Sequence, residues 1–271
     1  MKNDTNIAKE WHGHALKIKQ DANKIILGQE KAINLVIISL FARGHVLLEG
    51  GVGVGKTTLL QVITKLIGGS YERVEGTVDL MPNDIIYHAS ISDEGRPSIS
   101  KGPLLKKGED LSVFFFNEIN RARPQVHSLL LRVMAEKSVS AFNKVIYLPN
   151  MVVFADRNQV EKNETFELPA AARDRFMMEV SIQSPMDKVL RDSIIFDTKF
   201  QDTSKLIDDI PSPSFDCKEL NTVSSAIQEN IQTSDHIKNY VETLWQATEN
   251  PKKFAVDVEG IDIDDFIIAG S

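Results

Sequence analysis

The sequence predicts an α/β fold in which a parallel sheet is covered by helices on both faces and a small all-helical domain follows. Three observations predict it. Short apolar runs rich in β-formers recur at residues 45–49, 113–116, 151–155 and 176–180, and such runs between turn signals suit strands buried on both faces. Stretches with helical spacing alternate with them, the order of parallel strands joined by right-handed crossovers. After Ser184-Pro185 the strand signals fade and helical patterns take over. The expected domains are therefore 1–184 and 185–271.

The elements follow in order. Ala8, Trp11, Ala15, Ile18 and Ala22 recur at steps of three and four, one face of an amphipathic helix. A second helix is expected over 29–42 and is stopped by Arg43-Gly44, after which 45–49 forms the first strand. Residues 57–67 place Leu59, Leu60, Val62, Ile63 and Leu66 on one side of a helix, and 71–74 is a weaker strand. Hairpin turns are expected around Asp93-Glu94-Gly95-Arg96 and Ala141-Phe142-Asn143-Lys144. Between them lie the strand 113–116 and a helix over 125–136 with Val126, Leu129, Leu130, Val133 and Met134 inward. Past the strand 176–180, residues 209–214 read as a linker, and helices are expected over 218–230 and 235–248. The last has Ser234-Asp235 as its cap and Ile237, Val241, Leu244 and Trp245 as its apolar face.

Composition narrows the function. At 42% hydrophobic and 25% charged, the 271-residue chain matches a globular protein and excludes collagen, a coiled rod or general disorder. With 31 basic against 38 acidic side chains the net charge is −7, which argues against a surface that grips nucleic-acid backbones. Cys217 is alone, so no internal disulfide is possible, and no Cys/His spacing resembles a zinc site. His12, His14, His45, His88, His127 and His236 are read as structural or surface residues. Residues 1–10 carry no apolar leader, and the longest nearly apolar run, 35–42, is too short to cross a bilayer. A soluble, cytoplasmic protein with no membrane or nucleic-acid partner is expected.

The chemistry is concentrated at the strand ends. Gly50-Gly51-Val52-Gly53-Val54-Gly55-Lys56-Thr57 is a complete GxxxxGK[ST] between a strand and a helix. Its glycines let backbone N–H groups converge on phosphates, and the helix N-terminus adds its dipole. Lys56 is placed to reach the β- and γ-phosphates and the Thr57 hydroxyl to bind Mg2+. A bland glycine turn leaves Lys56-Thr57 unexplained, so a nucleoside triphosphate, ATP, is the expected ligand. Residues 113–116 run into Asn117-Glu118, where a buried strand ending in two acids holds Mg2+ and polarises the attacking water. Asn117 keeps an oxygen but lacks the charge that favours a hard cation, while Glu118 remains as general base. A slow hydrolase and a nucleotide-gated scaffold with little turnover both fit, hydrolysis being favoured. Asn158, just past the strand 151–155, is placed to orient the lytic water. Arg173 and Arg175, before the last strand, are candidates to stabilise transition-state charge in a neighbouring subunit. Arg121 and Arg123 are further candidates for a subunit interface.

Taken together, these residues resemble the MoxR family of AAA+ ATPases. Leu27-Gly28-Gln29-Glu30 resembles its adenine-side VGQE segment, residues 50–57 its phosphate loop, and Gly102-Pro103-Leu104 its GPL element. Residues 117–122 resemble its DEINRA block, 155–158 its ATQN, and Leu168-Pro169 with Asp174-Arg175-Phe176 its LPEAQLDRF. Residues 115–124 look most similar to the subfamily associated with methanol dehydrogenase activation. The resemblance implies a P-loop αβα core, a helical lid and a homo-oligomeric ring, usually a hexamer, with ATP at subunit interfaces. It implies nucleotide contacts from Leu27, Gly28, Gly50, Gly51, Val52, Gly53, Val54, Gly55, Lys56, Thr57 and Thr58, and metal contacts from Thr57 and Asn117. Asn158 becomes the first sensor and Arg175 the arginine finger. Chaperone-like activation of a client enzyme is implied, often with a von Willebrand A-type partner, whereas a nucleic-acid motor sharing the same core is disfavoured by the acidity. Asn117 departs from the family Asp, Gly51-Val52 from Pro-Pro, Ala170 from Glu and Gln159 from Pro. Phe266-Ile267-Ile268-Ala269-Gly270-Ser271 resembles the start of the family's lid GASPR motif, so a lid cut before its Pro-Arg, without the second-sensor Arg, is expected.

Overall fold

In the computed structural model, residues 2–91, 95–157, 166, 168–213 and 215–254 are described. The expectations for Asn158, Gln159, the turn residues Asp93-Glu94 and the end from Phe266 to Ser271 lie outside them. Along the chain run α1 (Lys2–Asn23), α2 (Glu30–Ala42), β1 (His45–Glu49), α3 (Lys56–Leu66), β2 (Ser70–Glu75), α4 (Pro82–Ile86), β3 (Tyr87–Ile91) and β4 (Pro97–Lys101). Then come α5 (Pro103–Lys106), β5 (Leu111–Asn117), α6 (Pro124–Glu136), β6 (Ser138–Ala141), β7 (Lys144–Tyr147), β8 (Val152–Arg157), α7 (Ala170–Arg173) and β9 (Phe176–Ser181). The remainder is helical: α8 (Lys188–Phe196), α9 (Thr203–Asp208), α10 (Leu220–Asn230) and α11 (Asp235–Glu249). Two compact units are distinguished, residues 1–226 and residues 227–271. The second contains α11, whose Ile237, Tyr240, Val241, Leu244 and Trp245 form an exposed apolar stripe.

Five strands make one parallel sheet in the order β2-β5-β8-β1-β9. The inner strands β5 and β8 are strongly apolar because both their faces are covered. Phe114, Phe115, Phe116 and Phe154 are wholly buried, each removing an aromatic side chain from water at a gain of about 2–3 kcal/mol. Alternate residues point to opposite faces. Phe114, Phe116, Val153 and Ala155 join Val126, Leu129, Leu130 and Val133 of α6 in one core cluster. On α2 and α3 the buried residues repeat at helical spacing, Ala32, Ile33, Val36, Ile37 and Leu40 on one, Leu59, Leu60, Val62, Ile63 and Leu66 on the other. The weaker strand is β2 at the sheet edge, where only Val74 is buried. The expected hairpins are present as β3-β4 and β6-β7.

All parallel strands end at the same sheet edge, so Glu49, Glu75, Asn117 and Arg157 gather there. Arg157 clasps this edge, its guanidinium 3.1 Å from Glu49 and 2.7 Å from Glu179. Burial pushes the Glu179 carboxyl up and Glu49 pushes it further, against the opposing pull of Arg157.

At the other end of β1, His45 takes the place of a ladder partner. Its Nδ1 accepts from the Val153 N–H at 2.9 Å, so Nε2 carries the proton and faces the Met134 carbonyl at 3.3 Å. Burial, with smaller contributions from Lys137 and Arg43, pushes the imidazole down from 6.5 to about 4. The folded state binds the proton less readily than the unfolded one. Stability is therefore full above pH 6.5 and is lost as pH falls towards 4, by about 3 kcal/mol through this group. Denaturant titrations across that window should show the slope, and His45→Gln should flatten it. An unchanged slope would refute the assignment.

Candidate functional site: a phosphate loop facing three strand ends

The loop between β1 and α3 opens a cavity of about 290 Å³. Its floor is the loop itself from Val52 through Thr58, and its far wall is Arg73, Asn117, Glu118 and Asp156. Gly53 and Gly55 stand at φ of 77° and 91°, a left-handed conformation that costs other residues roughly 1–2 kcal/mol. Gly55 caps α3, so the helix begins at Lys56 with its first N–H groups turned to the loop. Of the predicted contacts, Val52, Gly53, Val54, Gly55, Lys56, Thr57 and Thr58 all line this cavity. Gly50 contributes its carbonyl, which accepts from Lys56 Nζ at 2.8 Å.

Across the cavity, Asn117 and Glu118 follow the buried β5. Asn117 is buried and its Nδ2 donates to Glu75 on β2, whose other oxygen meets Arg73 at 2.5 Å. With its amide hydrogens directed at Glu75, Asn117 presents its oxygen rather than a charge. Glu118 leaves the strand at a φ of 53°, unusual for a residue with a side chain. Its backbone N–H donates to Asp156 Oδ1, and its carboxylate lies 3.0 Å from Arg121. Gly76 packs against the same turn: its N–H donates to the Asn117 carbonyl at 2.7 Å, and a Cβ there would fall 2.2 Å from the Glu118 carbonyl oxygen.

Asp156 is only 1% exposed and ties the two halves together, since its Oδ2 lies 2.5 Å from Lys56 Nζ. Among the described residues the ion pair with Lys56 is the charge that oxygen meets, and no hydrogen bond of ordinary geometry reaches it.

A second cavity, of about 350 Å³, adjoins the first and shares Gly53, Val54, Gly55 and Thr58 with it. Its lining is mostly apolar, from Ile25, Ile26 and Leu27 on one side and Pro185, Ile194 and Ile195 on the other. Gly28, at a φ of 71°, leaves room for Pro185, and the buried Gln29 donates to the Gln183 carbonyl. Leu27 and Gln29 of the predicted segment thus line this largely apolar slot beside the loop, while Gly28 packs on Pro185.

Arg175 is exposed at the turn after α7 and lines neither cavity, and Arg123 is exposed at the N-terminus of α6. Arg121, read from sequence as an interface candidate, lies against Glu118 of its own chain. Five site residues are absent from the sequence-predicted set: Arg73, Glu75, Gly76, Asp156 and Arg191, the last a cation in the apolar slot.

The arrangement suits magnesium triphosphate. Loop amides and Lys56 supply positive charge, and Thr57 supplies a hydroxyl. Among the described residues no cluster of three or more His, Cys, Asp or Glu could hold a metal ion alone. Mg2+ needs none, because it keeps several waters and takes further ligands from substrate phosphates.

The model of the ATPase family associated with various cellular activities (AAA) matches residues 45–178. Protein MoxR of Methylorubrum extorquens is 51% identical over 97% of this chain and 76% of its own length. Protein MoxR of Paracoccus denitrificans is 48% identical over 96% of this chain and 76% of its own. Chaperone MoxR1 of Mycobacterium tuberculosis is 34% identical over 64% of this chain and 45% of its own. The fold is shared with a provisionally named ATPase of Cytophaga hutchinsonii, whose crystal structure superposes with a TM-score of 0.78 at 24% identity over 94% of this chain and 74% of that one.

Proposed function

Because the chain belongs to the MoxR family of AAA+ ATPases, we propose that it binds ATP with Mg2+ across the two adjoining cavities, hydrolyses it slowly, and uses the cycle to remodel a client enzyme complex. The observation that carries this reading is the convergence of the phosphate loop, Lys56, Thr57, Asn117 and Glu118 on one cavity beside an apolar slot. The adenine would lie against Leu27 and Gly28, with Gly50 through Thr58 around the phosphates. Mg2+, held by Thr57 and more weakly by the uncharged Asn117, would neutralise charge on the β- and γ-oxygens. Glu118 takes the proton of the attacking water as its oxygen bonds to the γ-phosphorus, and ADP leaves. Asn158 would orient that water.

Arg175 is exposed and away from its own cavity, which suits action on a neighbour's γ-phosphate and hence a homo-oligomeric ring, a hexamer by resemblance. We take residues 1–184 as the nucleotide core and 185–271 as the lid. The client is proposed to be an enzyme complex such as methanol dehydrogenase, reached with a von Willebrand A-type partner, and the protein is proposed to act in the cytoplasm. No helix among the described residues is long and apolar enough to cross a membrane.

Steady-state ATP hydrolysis against protein concentration tests the proposal. The rate per subunit should climb as the protein is concentrated and should not respond to DNA or RNA. Tight ATP binding with a flat, near-zero rate would favour the scaffold reading, for which the neutral Asn117 is the supporting observation. Stimulation by nucleic acid would overturn both.

A further inference from the structure

The strand that lacks its acid at Asn117 lies beside one that carries an acid. β5 and β8 are paired in parallel up to Phe116 and Ala155, so the next residues, Asn117 and Asp156, stand side by side at the sheet edge. On its other side Asp156 pairs with Leu48, two residues before the phosphate loop begins at Gly50. Its carboxylate lines the cavity together with Thr57 and Glu118, yet is almost completely buried.

A buried carboxylate needs a compensating charge, and here that charge is Lys56. If ATP is bound as proposed above, Lys56 turns to the phosphates. Asp156 Oδ2 then loses the cation it meets among the described residues, in the cavity that Thr57 also lines. A divalent cation with its water shell is the partner that chemistry supplies at that position.

We propose that Asp156 is the acidic residue of the magnesium site, doing from β8 what a charged residue at position 117 would do from β5. Without nucleotide it is parked on Lys56. With nucleotide bound it receives the waters of the metal, while its Oδ1 keeps the Glu118 backbone in place. The missing charge of Asn117 has thus been moved one strand across the sheet rather than removed.

This inference rests on the ATP-binding reading, and the experiment separates the two. Binding of a fluorescent ATP analogue to the full chain is measured with Mg2+ and with EDTA. The native protein should bind more tightly with Mg2+. Asp156→Asn, which keeps an acceptor for the Glu118 N–H, should shrink that Mg2+-dependent gain by about ten- to a hundredfold. Its affinity in EDTA should be equal or tighter, because Lys56 is released. Adding Asn117→Asp to Asp156→Asn should restore the gain. An undiminished Mg2+ gain in Asp156→Asn overturns the inference. So does an equal loss with and without Mg2+, which marks Asp156 as a structural tether alone. Failure of the native chain to bind the analogue in either buffer overturns the ATP reading itself.

Discussion

Glu118→Gln should lower ATP turnover by about 10²–10⁴-fold, the usual contribution of a positioned general base, and leave ATP affinity intact. Gln has the size and hydrogen-bonding reach of Glu but cannot take a proton from water. The fold should tolerate the change. The partner it loses is Arg121 at 3.0 Å, a pair with side-chain exposures of 20% and 36%, and such pairs contribute at most about 1 kcal/mol. Affinity should hold because the change leaves Lys56 and the loop from Val52 to Thr58, the expected phosphate ligands, untouched. Turnover and ATP binding measured on the same preparation check it. A variant that hydrolyses ATP at the native rate would exclude Glu118 as the base.

Gly76→Ala is the second large effect, and it comes from a residue with no chemistry of its own. An added Cβ would lie 2.2 Å from the Glu118 carbonyl oxygen, 2.9 Å from its carbonyl carbon and 3.1 Å from the Asn117 carbonyl oxygen. These are backbone atoms and cannot rotate aside. The turn holding Glu118 must shift, and a displacement near 1 Å at a reacting group costs about 10²-fold in rate. Overpacking of this kind also costs about 1–3 kcal/mol of stability. The expected signature is a depressed kcat with ATP affinity retained, because the phosphate loop follows β1, which neither β2 nor β5 touches. Native kcat in a folded Gly76→Ala protein would refute the packing argument.

Most of the scaffold was legible because its signals are local. The run from His45 to Glu49 is a strand at the expected bounds, and the phenylalanines at 114–116 are as buried as their composition implies. The loop from Gly50 to Thr57 carries its conformation in its own glycines. Legibility fell where burial was partial. β2 was faint because an edge strand buries little, and α8 and α9 had no separate sequence signature. On α8, Val189, Ile195 and Phe196 are exposed, so its apolar residues do not mark one buried face. Asp156 and Gly76 were opaque for another reason: their significance comes from the parallel register, which pairs Glu75 with Asn117 42 positions on and runs β5 beside β8 up to Phe116 and Ala155, so that Asn117 and Asp156, 39 positions apart, follow next to each other. The sequence around either residue does not contain that information.

The stretch from Gly53 to Gly55 is a party wall shared by two rooms, one largely apolar and the other lined by the phosphate loop and the strand ends, which on the proposed reading take the base and the phosphates. A molecule that fills only one room must order the shared wall unaided. A nucleoside triphosphate fills both, so the second half of the ligand arrives at an already fixed wall with its effective concentration set by the ribose linker. If ATP is bound as proposed, the site would behave as a chelator for the whole nucleotide. On the proposed reading, selectivity against inorganic triphosphate and against bare nucleoside would come from the tether joining the two halves as much as from contacts to either.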